Sequence, residues 1–377
     1  MISSLSDRSH YSCLADYRYL NQASLGLIGQ PAVVAMHKYF DDIGRHGNLY
    51  MSDTEELAFL ASLRVVGAAV MNCPMQQLAI MFSSGEMCSQ LPYLLQPRPG
   101  SKILAVSTDF PSLTRPWIAY SQSHDIDLRF VDEQPDQDLT QTLIQNIDEQ
   151  TAVVAVSYVQ FSTGTRTDIY RLREATQKVG ARLVVDATQA AGAIPIDATG
   201  WQADVVVSSG YKWLGGHGGV ALAVICPELL ERTPPAPGWM GALDPFELQA
   251  TQLSLANDAR RYTQSTMSYI SIEGLRVALG ELLAMGVENI EAHSRSLATL
   301  LLGELEDSGW TPYRPLDDKA ASAHLMTFSH PSADVESTVK CLRDANILCG
   351  SRNGRLRVSI SHYNDEEDIR LCARTLR

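Results

Sequence analysis

The stretch VVDATQAAGAIPIDATGWQADVVVSSGYKWLGG, residues 184–216, holds two short β-branched runs, each ending beside a chemically capable side chain. The first, RLVVDA (182–187), ends at Asp186. The second, DVVVSS (204–209), leads within a few residues to Lys212, inside Ser-Gly-Tyr-Lys-Trp-Leu-Gly-Gly. Runs this short and this continuously apolar suit strands buried on both faces of a mostly parallel sheet. In such a sheet, ligands bind beyond the carboxyl ends of the strands, so Asp186 and Lys212 are expected to face one crevice.

Outward from this stretch the same texture repeats. QLAIMF (77–82), KILAV (102–106), DLRFV (127–131), AVVAVSYV (152–159) and GVALAVI (219–225) are further strand candidates, and helical patterns at 111–124 and 168–180 lie between them. With the opening pair they make seven runs, which predict a doubly wound α/β unit with a seven-stranded, mostly parallel sheet. Upstream, 31–44 and 53–72 read as helices. Past the Pro-rich RTPPAPGW (232–239) the pattern changes to one long helical stretch (268–308), short strands at 324–329 and 355–360, and helices at 334–346 and 365–377. That describes a smaller α+β C-terminal domain. The expected division is 15–255 for the large domain, with 1–14 and 256–377 forming the small one.

The chain has 377 residues, 45% apolar and 19% charged, which excludes disordered, collagen-like and disulfide-scaffold classes. Its formal charge of −13 opposes binding to nucleic acid or an anionic membrane, and any anionic ligand must be met by individually placed cations. Cysteines at 13, 73, 88, 226, 341, 349 and 372 show no CxxC spacing, so neither a metal site nor a disulfide framework is expected. The start lacks a basic and then apolar leader pattern, and no apolar run approaches membrane-spanning length. A cytoplasmic protein is the expectation.

A lysine among glycines after a buried strand is a good imine former when partly desolvated, and an acid in the same crevice can pair with a ring nitrogen. Together they are what pyridoxal phosphate needs. On these residues alone, a surface lysine and a helix-capping aspartate remain open.

DATQAAG followed by SSGYKWLGG resembles the class V aminotransferase superfamily of fold-type I pyridoxal phosphate enzymes, which includes cysteine desulfurases, kynureninases and C–S lyases. The resemblance extends through YLNQASLGL (19–27), FSSGEMCSQ (82–90), DFPSLTRPW (109–117), SYVQFSTGTRTD (157–168), RYTQST (261–266) and RLRVSISHYNDEED (355–368). It implies that Lys212 is the catalytic lysine, that Asp186 pairs with the ring nitrogen, and that Gln189 and Gln160 serve the ring hydroxyl region. Phe110 falls in the ring-stacking slot. Ser84, Gly85, Glu86 and Met87 fall in the phosphate loop, where relatives often have threonine at the position of Met87. Ser209 and Tyr211 match phosphate donors before the lysine, and Thr266 would serve the partner's phosphate in a homodimer. Arg357 matches the arginine that clamps a substrate α-carboxylate, with Arg352, Asn21, Ser24 and His217 as further candidates near the substrate.

The resemblance implies an enzyme acting on an L-amino acid. A desulfurase needs a mobile cysteine ahead of the carboxylate arginine. Here Cys349 lies in a strand-like ILC close to Arg357, and Cys341 in a predicted helix. The expectation is therefore a C–S lyase on an S-substituted cysteine. An aminotransferase, decarboxylating or epimerase member is the alternative, and a desulfurase or a non-catalytic binding module is disfavoured.

Overall fold

A computed structural model describes residues 2–377. The chain enters through β1 (Arg18–Tyr19) and two helices, α1 (Gln30–His46) and α2 (Asp53–Met71). A capping box starts α2: the Ser52 hydroxyl accepts from the Glu55 N–H while the Glu55 carboxylate accepts from the Ser52 N–H. Three acids in the first turn complement the helix dipole.

Strands and helices then alternate. β2 (Leu78–Met81), α3 (Ser84–Leu95), β3 (Ser101–Val106), α4 (Pro111–Ser121), β4 (Ile126–Val131) and α5 (Leu139–Gln145) come first. β5 (Thr151–Ser157), α6 (Ile169–Val179), β6 (Arg182–Asp186), α7 (Ala198–Trp201), β7 (Val205–Ser209), β8 (Ala221–Ile225) and α8 (Pro227–Leu230) follow. The seven strands from β2 to β8 form one sheet in the order β2-β8-β7-β6-β5-β3-β4. β8 runs antiparallel to both its neighbours, and the other pairs are parallel. Each of the seven predicted runs supplies one strand of this sheet.

Both faces of the sheet are covered, which is why its central strands are apolar without alternation. Side chains of α2 and α6 form the core on one face, and those of α3 and α4 the core on the other. At the free edge, β4 exposes Arg129 and Phe130, and a charge there discourages pairing with another chain.

The long helical stretch expected over 268–308 is two helices, α9 (Tyr269–Met285) and α10 (Val287–Glu304). Gly286, at φ +80°, turns the chain between them, a conformation open to glycine at little cost. α9 buries Ile272, Leu275, Leu279 and Leu282 in the core of the large sheet. From Leu297 onward the chain builds a separate core. It contains β9 (Thr311–Pro312), β10 (Leu325–Ser329), α11 (Val335–Asp344), β11 (Ile347–Leu348), β12 (Gly350–Arg352), β13 (Arg355–Ser359) and α12 (Glu366–Leu376). Its main sheet runs β12-β13-β10-β9, and β1 pairs with β11, which ties the N-terminal segment to this smaller unit.

Gly164 lies where the two units meet. Its φ is +78°, and a Cβ there would stand 2.0 Å from the Leu325 carbonyl oxygen. Gly164→Ala should therefore cost on the order of 2–3 kcal/mol and visibly lower the urea midpoint of the apoprotein. An unchanged midpoint would show that the two units are not held together at this contact.

Candidate active site

At the carboxyl ends of β5, β6 and β7, a cavity of about 140 Å³ opens beside the first turn of α3. Short polar links hold its walls. Asp186 ends β6 and accepts the Thr188 N–H at 2.8 Å, while the Thr188 hydroxyl accepts the Ser209 N–H at 3.1 Å. Ser209 ends β7, and its hydroxyl lies 2.7 Å from that of Ser84, the first residue of α3. Sheet and helix start are thus joined through hydroxyls rather than charges.

Lys212 follows β7 on a turn packed against the N-terminal segment. Gln22 donates to the Lys212 carbonyl at 3.0 Å, and a Cβ at position 26 would lie 2.1 Å from that same oxygen. Glycine at 26 is required by this approach. The Lys212 Nζ stands 5.1 Å from the centre of the Phe110 ring and 5.8 Å from that of Tyr211.

Burial dominates the electrostatics. It pushes the Lys212 amine down to about 8, against the opposing pull of Asp186 and with help from the positive charges of Arg357 and Arg352. Burial also raises the Asp186 carboxyl, while the hydrogen bonds from Thr188 and the charge of Lys212 resist. A second enclosed acid, Asp109, is pushed up to about 6 by burial and, to a smaller extent, by Asp186. Asp109 accepts from the Ser157 N–H (2.8 Å) and hydroxyl (2.5 Å), the Phe110 N–H (2.7 Å) and the Gln160 amide (3.2 Å). It pins the loop after β3 to the end of β5 and sets the backbone position of Phe110. In the sequence, Asp109 stands out only as the residue before Phe110 in DFPSL.

Of the residues singled out from the sequence, Ser84, Gly85, Phe110, Asp186, Gln189, Ser209, Tyr211 and Lys212 line the cavity. Gln189 donates to the Ala23 carbonyl at 3.1 Å and accepts from the Trp213 indole at 2.9 Å. Five others do not line it. The Met87 side chain is fully buried in the apolar layer between α3 and the sheet, where a methionine belongs and a phosphate does not. The Glu86 carboxylate turns back to accept the Phe82 N–H at 2.8 Å. Gln160 donates its amide N–H to Asp109 while its Oε1 is buried without a partner, and Thr266 is exposed. His217 is also exposed, with its ring on the Gly218 carbonyl.

A second cluster adjoins the cavity. Ser24 donates to the Asn21 side chain at 2.8 Å and accepts from both Arg357 and, at 3.3 Å, Arg352. Arg357 also donates to the carbonyl of Phe161, a cavity residue, at 2.8 Å. Its Nε is buried without a partner, and burial together with Arg352 lowers the guanidinium to about 9.

The family model for class V aminotransferases matches residues 19–371. The chain belongs to that family. A Bacillus subtilis protein described as the uncharacterized aminotransferase YcbU is 24% identical over 96% of this chain and 94% of its own length. A Pseudomonas fluorescens kynureninase is 26% identical over 58% of this chain and 53% of its own. Among solved structures, the Escherichia coli cysteine desulfurase CsdA superposes with a TM-score of 0.85 at 20% identity, covering 98% of this chain and 96% of that one. The cystine C–S lyase C-DES gives 0.87 at 21%, covering 97% and 99%. These likenesses establish the fold-type I architecture.

This member of the class V aminotransferase family is a pyridoxal-phosphate-dependent enzyme, and the donor set of the cavity fits that cofactor. The wall formed by the α3 start and Ser209 offers a helix N-terminus and hydroxyls, which suit a phosphate without basic side chains. Asp186, enclosed and destabilised as an anion, gains from a cationic ring nitrogen. Lys212 supplies the amine.

Because Lys212 is pushed down to about 8, its free amine fraction grows steeply between about pH 7 and pH 9. Uptake of pyridoxal phosphate by the apoprotein should accelerate across that window and then level off. Borohydride reduction followed by peptide mapping should place the pyridoxyl label on Lys212. A flat uptake profile, or a label on another lysine, would contradict this assignment.

Proposed function

We propose that this enzyme cleaves the C–S bond of an S-substituted L-cysteine by α,β-elimination, and that it works as a cytoplasmic homodimer. The shared fold does not choose among activities, since cysteine desulfurases and a C–S lyase both adopt it. The observation that carries the reading is a cavity wall with one amine of lowered pKa and no thiol.

Two buried cysteines, Cys349 and Cys88, are poor nucleophiles. Cys349, one residue before β12, is buried beside Cys372, and this contact together with burial holds its thiol well above the usual range. Cys88 is enclosed on α3, where burial and the charges of Asp186 and Asp109 raise it likewise. Cys341 is exposed on α11. A thiolate, not a thiol, is needed to capture sulfur from a substrate.

Pyridoxal phosphate, when bound, supplies the electron withdrawal that weakens the bonds at the substrate Cα. Within this reading, Arg357 holds the α-carboxylate. Lys212 Nζ takes the Cα proton and hands a proton to the departing sulfur, as the Cβ–S bond breaks. An amine near 8 is matched to both roles close to neutral pH. Hydrolysis of the remaining three-carbon fragment gives pyruvate and ammonia.

Purified holoenzyme should release pyruvate and ammonia in equal amounts from S-substituted L-cysteines. Arg357→Ala should lower kcat/KM by on the order of 30-fold or more while the absorbance of the bound cofactor is preserved. Cys341→Ser and Cys349→Ala should retain most activity. A folded, yellow cysteine variant without turnover would replace elimination with persulfide chemistry.

The homodimer rests on the exposed Thr266 segment and on large apolar side chains left in solvent, including Phe40 (67% exposed), Leu248 (72%) and Leu253 (62%). If Thr266 completes the partner's phosphate site, cofactor affinity rises with dimerisation. Light scattering should give twice the 41.4 kDa chain mass, and dilution should release cofactor and dissociate the protein together. A monomer at full cofactor occupancy would rule this out.

A further inference from the structure

The β12–β13 hairpin turns at Asn353 (φ +50°) and Gly354 (φ +71°), the two left-handed residues that a tight hairpin with the native strand twist requires. This turn sets a register in which Arg352 faces Arg355 and Gly350 faces Arg357. Residues directly opposite one another project from the same face, so Arg352, Arg355 and Arg357 share one side of the hairpin. Like charges placed opposite each other in a sheet are destabilising, and here no acid relieves them. Among the described residues, none of the three has an acidic partner within ion-pair distance. The acid that reaches the hairpin, Glu336, bonds Ser351 on the opposite face.

Each arginine has a different outlet. Arg355 stacks on the Tyr313 ring at 4.8 Å. Arg357 is buried, bound to the Phe161 carbonyl and Ser24, and its Nε is unpartnered. Its Nε and Nη2 lie beside Gly350, where a Cβ would come within 3.8 Å of both nitrogens and 3.0 Å of the Asn21 side chain. A side chain at 350 would crowd that edge of the guanidinium, where Nε is the donor without a partner. One carboxylate can occupy it fully, through both oxygens. Arg352 is then left over: half-buried, held by the carbonyl of its neighbour Ser351 and by a long 3.3 Å bond to Ser24.

We infer that the substrate carries a second anionic group, on its side chain, which Arg352 receives while Arg357 holds the α-carboxylate. This inference rests on the proposed amino-acid site and narrows the substrate to acidic amino acids or cysteines bearing an acidic S-substituent.

The test uses ligands that have no leaving group, so that it reads binding apart from elimination. Holoenzyme and its Arg352→Gln variant are titrated calorimetrically with L-aspartate against L-asparagine, and with L-2-aminoadipate against its side-chain amide. L-2-aminoadipate replaces the sulfur of S-carboxymethylcysteine with a methylene. In at least one pair the acid should bind about tenfold or more tightly than the amide. Arg352→Gln should bring that ratio close to one, and Arg352→Lys should keep part of it. Equal binding of acid and amide in both pairs would overturn the inference, as would a preference that survives Arg352→Gln. Equal weakening of acid and amide by the variant would assign Arg352 to the α-carboxylate and also overturn it. If none of the four ligands binds, the amino-acid reading falls as well. Failure of the lyase reading alone leaves these titrations unaffected.

Discussion

Lys212 and Asp186 are opposite charges enclosed in one small cavity, and burial penalises each of them. Two such groups persist in a folded protein only if the surrounding backbone leaves them no better arrangement. That backbone is clasped from two sides. The Lys212 carbonyl meets Gly26, and the Trp213 carbonyl lies 2.4 Å from where a Cβ would sit on Gly192. Side chains at either glycine would push the lysine-bearing turn off the ends of β6 and β7. The neutral links through Thr188, Ser209 and Ser84 serve the same end, because they add no charge that would alter the balance between amine and acid.

The net charge of −13 makes the positive features local by necessity. The phosphate-type wall relies on a helix start and hydroxyls. The Arg352 and Arg357 cluster relies on neighbours that offer carbonyls and a serine. This division keeps full positive charge away from the amine except where Arg352 and Arg357 approach it, and that approach helps to hold Lys212 near 8.

The large sheet was legible because its strands are near-continuous β-branched runs, a pattern dictated by burial on both faces. Asp186 and Lys212 were legible because strand ends are where such side chains converge. What escaped depends on three-dimensional packing. Gly286 divides a helical pattern whose hydrophobic periodicity continues across it. Met87 and Glu86 sit in the motif's sequence slot, yet the helix directs the first into an apolar layer and lets the second fold back on its own N-terminal turn. Asp109 reads as a loop acid, and only the proximity of Ser157, Gln160 and Phe110 shows that it joins two strand ends. The register that gathers Arg352, Arg355 and Arg357 on one face hinges on the Asn353-Gly354 turn, a hairpin signal present in the sequence.

The arginine clamp is assembled from segments far apart in the chain: Asn21 and Ser24 at the N-terminus, Phe161 after β5, and the hairpin at 350–357. The N-terminal segment belongs to the small unit by its backbone, through the pairing of β1 with β11 and the bond from the Ser359 N–H to the Leu20 carbonyl. It also belongs to the large unit through Gln22 on the Lys212 carbonyl and the Gln189 side chain on the Ala23 carbonyl. Residues 21–26 are therefore the seam by which the small unit is registered to the lysine. A shift of that unit would move Ser24 and Arg357 together but strain the contact at Gly26, where there is no slack. The distance between the amine and the Arg357 cluster is set by backbone packing at one glycine, and the flexible side chains on either side inherit it.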